Sequence, residues 1–398
     1  MLVGVGLLGR GLGRPSAGES SSTTVFRFNG TQSTLAAASE VGPTLTQTAR
    51  GTSAYMWDST GTYVERTSTQ PCLAAHFWNG SAWSPRGYLH QSQRTFRALH
   101  NRDLTNGVWT ATNITPALNA TGMTGVANSA STLTATANNG TITQTVTIAS
   151  AARVNGFWIK RVGGTGTIEI TDNNFTSTVD VTASLSSAVY TWHTTSRTQA
   201  NPVFGIRMGT SGDVIEVDFV GLEEGSYATY PLPVGASAVT RNRDILGTTD
   251  VSWFPTSAGT VYFKGQSNHH SSSSNFLLQI DDNSANDRLY FRETTSSRVQ
   301  TLSQTSSGNA LSATPANGRS VDAQFQYAVR YTTDDGISCL DGTLSSQDTA
   351  CDFPLNDTIT NFRVGAFHST TLEWDGFVET IEFFSDAKID AELQALTT

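Results

Sequence analysis

The chain has 398 residues, of which 37% are hydrophobic and 14% are charged, and it carries a net charge of −9. Because the charge is negative and no basic run occurs, a nucleic-acid-binding protein that works by neutralising phosphates is excluded. No apolar run approaches the roughly 20 residues that a membrane-spanning helix needs, so no membrane partner is expected. The 35 glycines and the many serines and threonines favour an all-β protein with polar turns.

Residues 1–24 are predicted to form a flexible N-terminal arm. Three glycines interrupt their apolar stretch, and the basic residues Arg10 and Arg14 follow that stretch instead of preceding it. A secretory signal has the opposite order, with its basic residues first. Two interpretations of the arm stay open: it is disordered, or it becomes ordered against a partner protein.

Beyond the arm, short segments in which apolar and polar residues alternate predict β-strands. In one of them, Ile215, Val217 and Phe219 share a face, and Glu216 and Asp218 lie on the opposite face. The same spacing recurs in four other segments: Thr141–Ile148, Thr167–Thr171, Phe325–Tyr331 and Phe377–Phe383. Asn-Gly and Asp-Gly pairs, which are typical of hairpin turns, recur along the chain. The pattern indicates antiparallel sandwiches and not parallel βαβ units.

Breaks that contain proline divide the chain into a small, irregular N-terminal β region and two sandwiches. The N-terminal region, residues 25–93, is rich in tryptophan and tyrosine and is the expected attachment region. The first sandwich occupies residues 94–233 and ends at Pro231-Leu232-Pro233, the predicted linker. The second sandwich occupies residues 234–398. The sequence shows no internal repeat of roughly 20–50 residues, which disfavours a solenoid or a propeller.

One segment, near the C-terminus, has clear helical spacing. Ile389, Leu393 and Leu396 recur at the interval of one helical face, and Ser385 is the predicted N-cap residue. We therefore expect a short C-terminal helix that packs against the second sandwich.

The string Glu216–Gly221 resembles the beginning of the acidic motif of laminarinase-type glycoside hydrolases. In a retaining glycosidase, two neighbouring carboxylates act as nucleophile and acid. The third acid of the motif is missing, because position 221 is glycine and Glu223 comes too late. We therefore interpret Glu216 and Asp218 as the solvent-exposed side of an amphipathic strand. The sequence predicts no catalytic residue and no enzyme.

Three other groups of residues are candidates for a metal site or a disulfide. Asp281–Asp287 is either a polar hairpin turn or a loop whose oxygens bind calcium. His269 and His270 precede four serines and are interpreted as part of a mobile loop, because the nearby sequence offers no further metal ligands. Cys339 and Cys351 either are free, buried thiols or form a disulfide across a hairpin. The sequence predicts no cofactor.

The eight tryptophans include candidate platforms for sugars, because the apolar C–H face of a sugar ring stacks on an exposed aromatic face. Trp192 lies among polar neighbours in the segment Tyr190–His193. Trp158 lies between Phe157 and Ile159, so one of the two adjacent aromatic side chains must point away from the core. Trp158 and Trp192 are the predicted carbohydrate-binding residues.

Parts of the chain resemble bacteriophage virion proteins in which a jelly-roll domain leads into a further domain. The similar segments are Gly87–Thr95, Asn101–Trp109, Glu223–Pro231 and Val239–Asp244. The C-terminal third resembles a concanavalin-A-like, laminin-G-like sandwich. Its similar segments are Gly259–Phe263, Phe325–Tyr331, Asp341-Gly342, Phe362–Gly365 and Trp374–Val378. The resemblance implies a jelly roll followed by a concanavalin-A-like sandwich.

The same resemblance implies a virion structural protein, namely a head fibre, a capsid decoration protein or a tail fibre. Its N-terminal region would attach to capsid or tail proteins, and its sandwiches would be exposed on the particle surface, where they would bind host surface glycans. A homo-oligomer, specifically a trimer, is expected for a fibre-like protein. Two alternatives stay open: a secreted carbohydrate-active protein, and a purely mechanical decoration protein whose sandwiches bind nothing.

Overall fold

The prediction of an all-β protein is confirmed by the computed structural model. The structure describes residues 24–28, 32–48, 50–269, 274–305, 308–353, 355, 359–366 and 373–398. These residues form thirty β-strands, two short α-helices and one 3-10 turn. The predicted arm, residues 1–24, lies outside the described residues except for Thr24. Neither described helix is long or apolar enough to cross a bilayer.

The N-terminal part of the chain supplies seven short strands and one helical turn. They are β1 (Thr24–Arg27), α1 (Leu35–Ala38), β2 (Ser39–Val41), β3 (Thr46–Gln47), β4 (Ala54–Trp57), β5 (Tyr63–Arg66), β6 (Ala75–Trp78) and β7 (Trp83–His90).

The middle of the chain forms a sandwich of two five-stranded antiparallel sheets. β8 (Arg94–Phe96) precedes the sandwich and lies outside both sheets. The elements of the sandwich are β9 (Thr110–Thr112), β10 (Ile114–Ala120), β11 (Ala130–Ala135), β12 (Gly140–Thr145), β13 (Ala151–Gly163), β14 (Ile168–Thr171), β15 (Val179–Asp180), the 3-10 turn Thr182–Ser184, β16 (Thr191–Gln199), β17 (Val203–Met208) and β18 (Val214–Glu224). One sheet has the order β10-β11-β18-β13-β16 and the other β15-β14-β17-β12-β9. Branched and aromatic side chains from both sheets, such as Phe157 and Ile206, fill the core between them.

The C-terminal part forms the larger sandwich and ends in a helix. β19 (Val239–Arg241) pairs with β8 in a separate two-stranded sheet. The elements of the sandwich are β20 (Leu246–Thr248), β21 (Gly259–Ser267), β22 (Asn275–Asp281), β23 (Arg288–Glu293), β24 (Val299–Thr305), β25 (Gly308–Ala313), β26 (Gln324–Tyr331), β27 (Ile337–Leu340), β28 (Thr343–Leu344), β29 (Asn361–Val364), β30 (Gly376–Phe384) and α2 (Asp390–Leu396). The alternating stripe of β26 is buried in its core, as the sequence predicts. Asp341 and Gly342 both have positive φ and form the two-residue turn between β27 and β28.

Strands of the N-terminal region belong to the sheets of the C-terminal sandwich. Strands β1 and β7 pair with the two halves of one edge of β30, whose other edge pairs with β21, and β3 pairs with β20 of the opposite sheet. The eleven-stranded sheet therefore runs from β28 through β30 and β7 to β5. The predicted linker is also packed, because Leu232 is buried and the Tyr63 hydroxyl donates a hydrogen bond to the Pro231 carbonyl. Residues 25–93 thus reach the region between the two sandwiches, where the candidate site lies.

β-Bulges break two of the predicted alternations. Phe219 has a φ of 46° and lies at a register shift between β13 and β18. Phe219 therefore leaves the core face of Ile215 and Val217, and Val220 takes its place there. A second register shift in the pairing of β21 with β30 places Phe377 on the opposite side of the sheet from Phe383. An extra residue in one strand reverses the facing of every residue that follows.

The C-terminal helix begins at Asp390, so its N-cap position lies four residues after Ser385, the predicted N-cap residue. Its N-cap residue is Ile389, whose backbone N–H donates to the Glu392 carboxylate. Residues before it are held out of the helix, because the Thr260 hydroxyl donates to the Asp386 carbonyl and accepts from the Lys388 backbone. Ile389 is consequently exposed, whereas Leu393 is buried and Leu396 packs beside it.

All three cysteines are free and buried. Of the two alternatives for Cys339 and Cys351, free thiols are therefore confirmed, and no disulfide joins them.

Candidate functional site

A cleft of about 300 Å³ lies where the N-terminal strands, the first sandwich and the C-terminal sandwich meet. We call it the aromatic cleft, since aromatic rings form most of its wall. Its lining residues are Trp57, Phe77, Trp78, Trp83, Leu89, Trp158, Tyr190, Thr191, Trp192, Tyr227, Ala228, Thr229, Tyr230, Asn268, His269, Asp322 and Asp375. Five of the eight tryptophans of the chain are among them.

The two predicted carbohydrate-binding residues lie side by side in this cleft. Strand alternation in β13 sends Phe157 into the sandwich core and Trp158 to the opposite face. The register of β13 with β16 places Trp192 directly opposite Trp158, and their ring centroids are 5.0 Å apart. Trp158 is buried and Trp192 is half-buried, so Trp192 is the more accessible of the two faces.

The N-terminal region extends the wall with further aromatic rings. The Trp57 ring lies 5.2 Å from that of Trp158, and it stacks on Trp83 at 4.6 Å between centroids. Trp57, Trp83 and Tyr190 also border a second cavity of about 270 Å³. The same rings therefore line two adjoining spaces, which suits a ligand longer than one sugar ring.

The position of Trp192 depends on two paired glycines. Gly156 in β13 pairs with Gly221 in β18, and the Trp192 ring lies over both. A Cβ atom on Gly156 would lie 1.9 Å from Cη2 of Trp192, which no real packing allows.

Gly156→Ala is therefore expected to displace the Trp192 ring and to lower ligand affinity more than about tenfold, although every aromatic residue is retained. The matched control is Gly163→Ala in the same strand, where the new methyl group would make ordinary contacts at 3.9 Å with Val214. Binding measured by calorimetry should fall only for Gly156→Ala. Equal affinities of the two variants would contradict this role of Gly156.

Two polar atoms of cleft residues have no hydrogen-bond partner among the described residues. They are Nε1 of Trp158, a donor, and Oδ1 of Asn268, an acceptor. The indole N–H groups of Trp109, Trp253 and Trp374, outside the cleft, all donate to protein oxygens. Buried polar groups are normally satisfied in native proteins. Both atoms are inaccessible to solvent, so neither offers a hydrogen bond at the surface of the cleft.

The polar end of the cleft is built around Tyr227. Its ring stacks on His269 at 3.4 Å between centroids, and the Arg94 guanidinium lies 4.7 Å from its ring centroid. The Tyr227 hydroxyl donates to the Asp375 carboxylate at 2.9 Å. Burial alone would raise the pKa of Asp375, but Arg94, His269 and Arg241 together hold it below its ordinary value. Asp375 is therefore ionised and fixes the orientation of the Tyr227 ring.

Glu223 lies beneath this end of the cleft and is completely buried. Its carboxylate accepts from the backbone N–H and the hydroxyl of Thr229, at 2.9 and 2.7 Å, and Arg94 lies 3.6 Å away. Burial raises the pKa of Glu223 to about 7, and Arg94 and Thr229 only partly oppose this rise. The folded protein therefore binds a proton more readily at Glu223 than the unfolded chain does.

This raised pKa predicts a specific pH dependence of stability. The contribution of Glu223 is fully present below its unfolded pKa of 4.5 and is lost as the pH rises through about 7. Between pH 4 and pH 8 the free energy of unfolding should fall by about 3 kcal/mol relative to Glu223→Gln, which does not titrate. Urea unfolding of both proteins across this range measures the difference. Parallel stability curves would contradict the raised pKa.

The acidic pair of β18 is not the exposed pair that the sequence predicts. Asp218 precedes the bulge at Phe219 and keeps its predicted face, but it is completely buried there. Its carboxylate accepts from Arg102 at 2.7 and 3.0 Å and from the Met123 backbone at 2.8 Å. Burial raises the pKa of Asp218 against the opposing influence of Arg102. Glu216 is half-buried and forms an ion pair with Lys160 at 2.5 Å. Both carboxylates are engaged in ion pairs, which is unlike a pair that flanks a glycosidic bond.

The other candidate sites of the sequence, Asp281–Asp287 and His269, have partners within the protein. The Asp281 carboxylate binds Arg363, and the Asp282 carboxylate accepts from the backbone and hydroxyl of Ser284, as in a polar hairpin turn. Among the described residues, no group of three or more acidic, histidine or cysteine side chains is placed to hold a metal ion. His269 is buried against Tyr227, which corrects its interpretation as part of a mobile loop. His270 lies outside the described residues.

Comparisons with known proteins give weak similarities. No family model and no curated protein sequence matches this chain. Among solved structures, the CBM40 module of the Ruminococcus gnavus IT-sialidase, bound to α2,3 sialyllactose, aligns with 13% identity over 36% of this chain and 84% of that one, at a TM-score of 0.33. The NanB sialidase of Streptococcus pneumoniae aligns with 16% identity over 37% of this chain and 25% of its own, at a TM-score of 0.33.

A heptameric SAP-like pentraxin from Limulus polyphemus aligns with 8% identity over 36% of this chain and 70% of that one, at a TM-score of 0.30. TM-scores this low carry no argument about function. The chain is thus an all-β protein of packed antiparallel sheets, and its candidate site is defined by its own residues.

Proposed function

We propose that this chain is a non-enzymatic glycan-binding protein whose binding site is the aromatic cleft. The observation that carries the proposal is the convergence of five tryptophans on one cleft whose lining also includes the polar side chains of Thr191, Asn268 and Asp322. Aromatic faces complement the apolar C–H face of a sugar, and the polar atoms complement its hydroxyl groups. The ion pairs of Glu216 and Asp218 favour binding over hydrolysis by those residues.

A glycan array probed with the purified full chain tests this proposal. We expect a restricted set of oligosaccharides to be bound, and the same set to lose its signal with Trp192→Ala. Because a single site of this kind binds weakly, the protein should be presented in a multivalent form. Absence of binding to every glycan would overturn the proposal and favour a purely mechanical protein.

We further propose that the chain is a bacteriophage virion protein that displays this cleft on the particle surface. The support is the resemblance of four segments, Gly87–Thr95, Asn101–Trp109, Glu223–Pro231 and Val239–Asp244, to virion proteins. In this proposal the N-terminal part attaches the chain to the capsid or tail, and a homotrimer supplies avidity.

The competing possibility is a secreted glycan-binding protein with the same cleft. Immunogold labelling of purified particles distinguishes the two. Labelling at the head or the tail supports the virion proposal, and unlabelled particles with the protein found in the culture medium would overturn it. Sedimentation equilibrium tests the trimer separately, since a monomer would contradict it.

A further inference from the structure

The charged groups that line the aromatic cleft are predominantly acidic. Asp322 is exposed at its rim, and Asp375 is buried and ionised at its polar end. Among the described residues that line the cleft, no lysine or arginine occurs, and His269 is the one basic side chain.

The cations nearest to the cleft already have partners. Arg94 lies against the Tyr227 ring and within 4 Å of both Glu223 and Asp375. Lys160, which borders the adjoining cavity, is paired with Glu216 at 2.5 Å. Each of these side chains already lies beside at least one acid, which partly offsets its positive charge.

Two more arginines contact residues of the cleft wall or their neighbours, and both already have hydrogen-bond partners, although only Arg319 is paired with an acid. Arg319 is paired with Glu293 at 2.5 Å. Arg86 lies against Phe77 and donates to the Gln266 side chain at 2.6 Å.

A ligand carboxylate would therefore enter a partly dehydrated space that offers like charge at Asp322 and Asp375. The one basic group there is His269, which stacks on Tyr227 and already acts on Asp375. Removing such a group from water without a partner is costly. A sugar hydroxyl carries no such cost, and an ammonium group near Asp322 would gain a favourable ion pair.

We infer that the aromatic cleft selects uncharged or amino-substituted oligosaccharides and discriminates against sugars that carry a carboxylate, such as sialic and uronic acids. This inference rests on the proposed glycan-binding function and adds a ligand class to it. Asp322 is the specificity-determining residue, because it is the exposed acid at the rim.

The first arm of the test is an array that holds neutral glycans, chitosan oligomers with free amines, sialylated glycans and oligogalacturonides. Binding confined to the neutral and amino-substituted glycans, and lost in Trp192→Ala, supports the inference. Binding of sialylated or uronic glycans that is lost in Trp192→Ala would overturn it while leaving the proposed function intact. Binding of no glycan would overturn both.

The second arm measures Asp322→Asn by calorimetry with chitosan oligomers and with their fully N-acetylated counterparts. The preference of the wild type for the free amine should fall by about twofold to fivefold, the range of a partly exposed ion pair. Asp250→Asn removes the same charge from an exposed residue that does not line the cleft, and it should leave the preference unchanged. An unchanged preference in Asp322→Asn, or an equal loss in both variants, would overturn the role of Asp322.

Discussion

Trp192→Ala is expected to weaken glycan binding about thirtyfold, which corresponds to about 2 kcal/mol, because Trp192 is the most accessible of the paired platform rings. The ring is half-buried, so its removal widens the cleft and leaves no sealed cavity in a core. Calorimetric titration of the full chain with a glycan identified on the array measures the loss.

Trp253→Ala is the matched control for this experiment. Trp253 is also half-buried, but it packs against Phe383 in the core of the C-terminal sandwich, at 4.6 Å between ring centroids. We expect Trp253→Ala to lower stability and to leave the affinity for glycan unchanged. If both variants bound glycan as tightly as the wild type, the aromatic cleft would not be the binding site.

Asp244→Ala is expected to destabilise the protein by about 3–5 kcal/mol, because it leaves the Arg50 guanidinium buried without its counter-charge. Both side chains of this pair are completely buried. The Asp244 carboxylate also accepts from the Gln91 backbone at 2.9 Å, and Arg50 donates to the Gln70 carbonyl at 2.8 Å. The pair therefore ties the N-terminal region to the start of the C-terminal sandwich.

The control for Asp244→Ala is Glu40→Ala, which breaks the ion pair of Glu40 with Arg27 at 2.6 Å on the surface. That variant should lose less than about 1 kcal/mol. The double replacement Arg50→Met with Asp244→Leu removes both buried charges and should recover most of the lost stability. Urea unfolding compares the four proteins, and equal losses for Asp244→Ala and Glu40→Ala would contradict the structural role assigned to the buried pair.

Strand alternation in the sequence predicts the part of the cleft that Trp158 and Trp192 form. Adjacent large aromatic residues at 157 and 158 cannot both enter one core, so a period of two is enough to send Trp158 outward. The polar neighbours of Trp192 likewise indicate an accessible face. The two rings lie side by side because the register of β13 with β16 pairs their residues. The sequence of one strand does not determine that register.

The rest of the cleft comes from segments far apart in the chain, and no local pattern brings them together. Trp57 and Trp83 reach it because β7 pairs with β30, close to the C-terminus. The tryptophan- and tyrosine-rich composition of residues 55–88 was the available signal, and it indicated an attachment region instead of a binding wall. Tyr227 lies in the segment that resembles virion proteins, but the stacking partner His269 is 42 positions away in the sequence.

Asp218 illustrates a different limit of sequence analysis. Alternation predicts its face correctly, but Arg102 and the Met123 backbone, both distant in the sequence, cover that face and bind the carboxylate. The bulge at the next residue, Phe219, is a separate limit, because nothing in a period-two pattern marks where an extra residue falls. The segment Val239–Asp244 shows the converse. Its resemblance to virion proteins gave no sign that Arg241 and Asp244 are buried and bind residues from the preceding parts of the chain.

The most direct test of the glycan-binding cleft is the indole N–H spectrum of ¹⁵N-tryptophan-labelled protein during titration with a glycan identified on the array. We predict shifts for the indole signals of Trp158 and Trp192, and none for Trp109, Trp253 and Trp374, whose N–H groups are already bonded to protein oxygens outside the cleft. Shifts confined to those three signals, or a spectrum that does not change while glycan binds, would contradict the account.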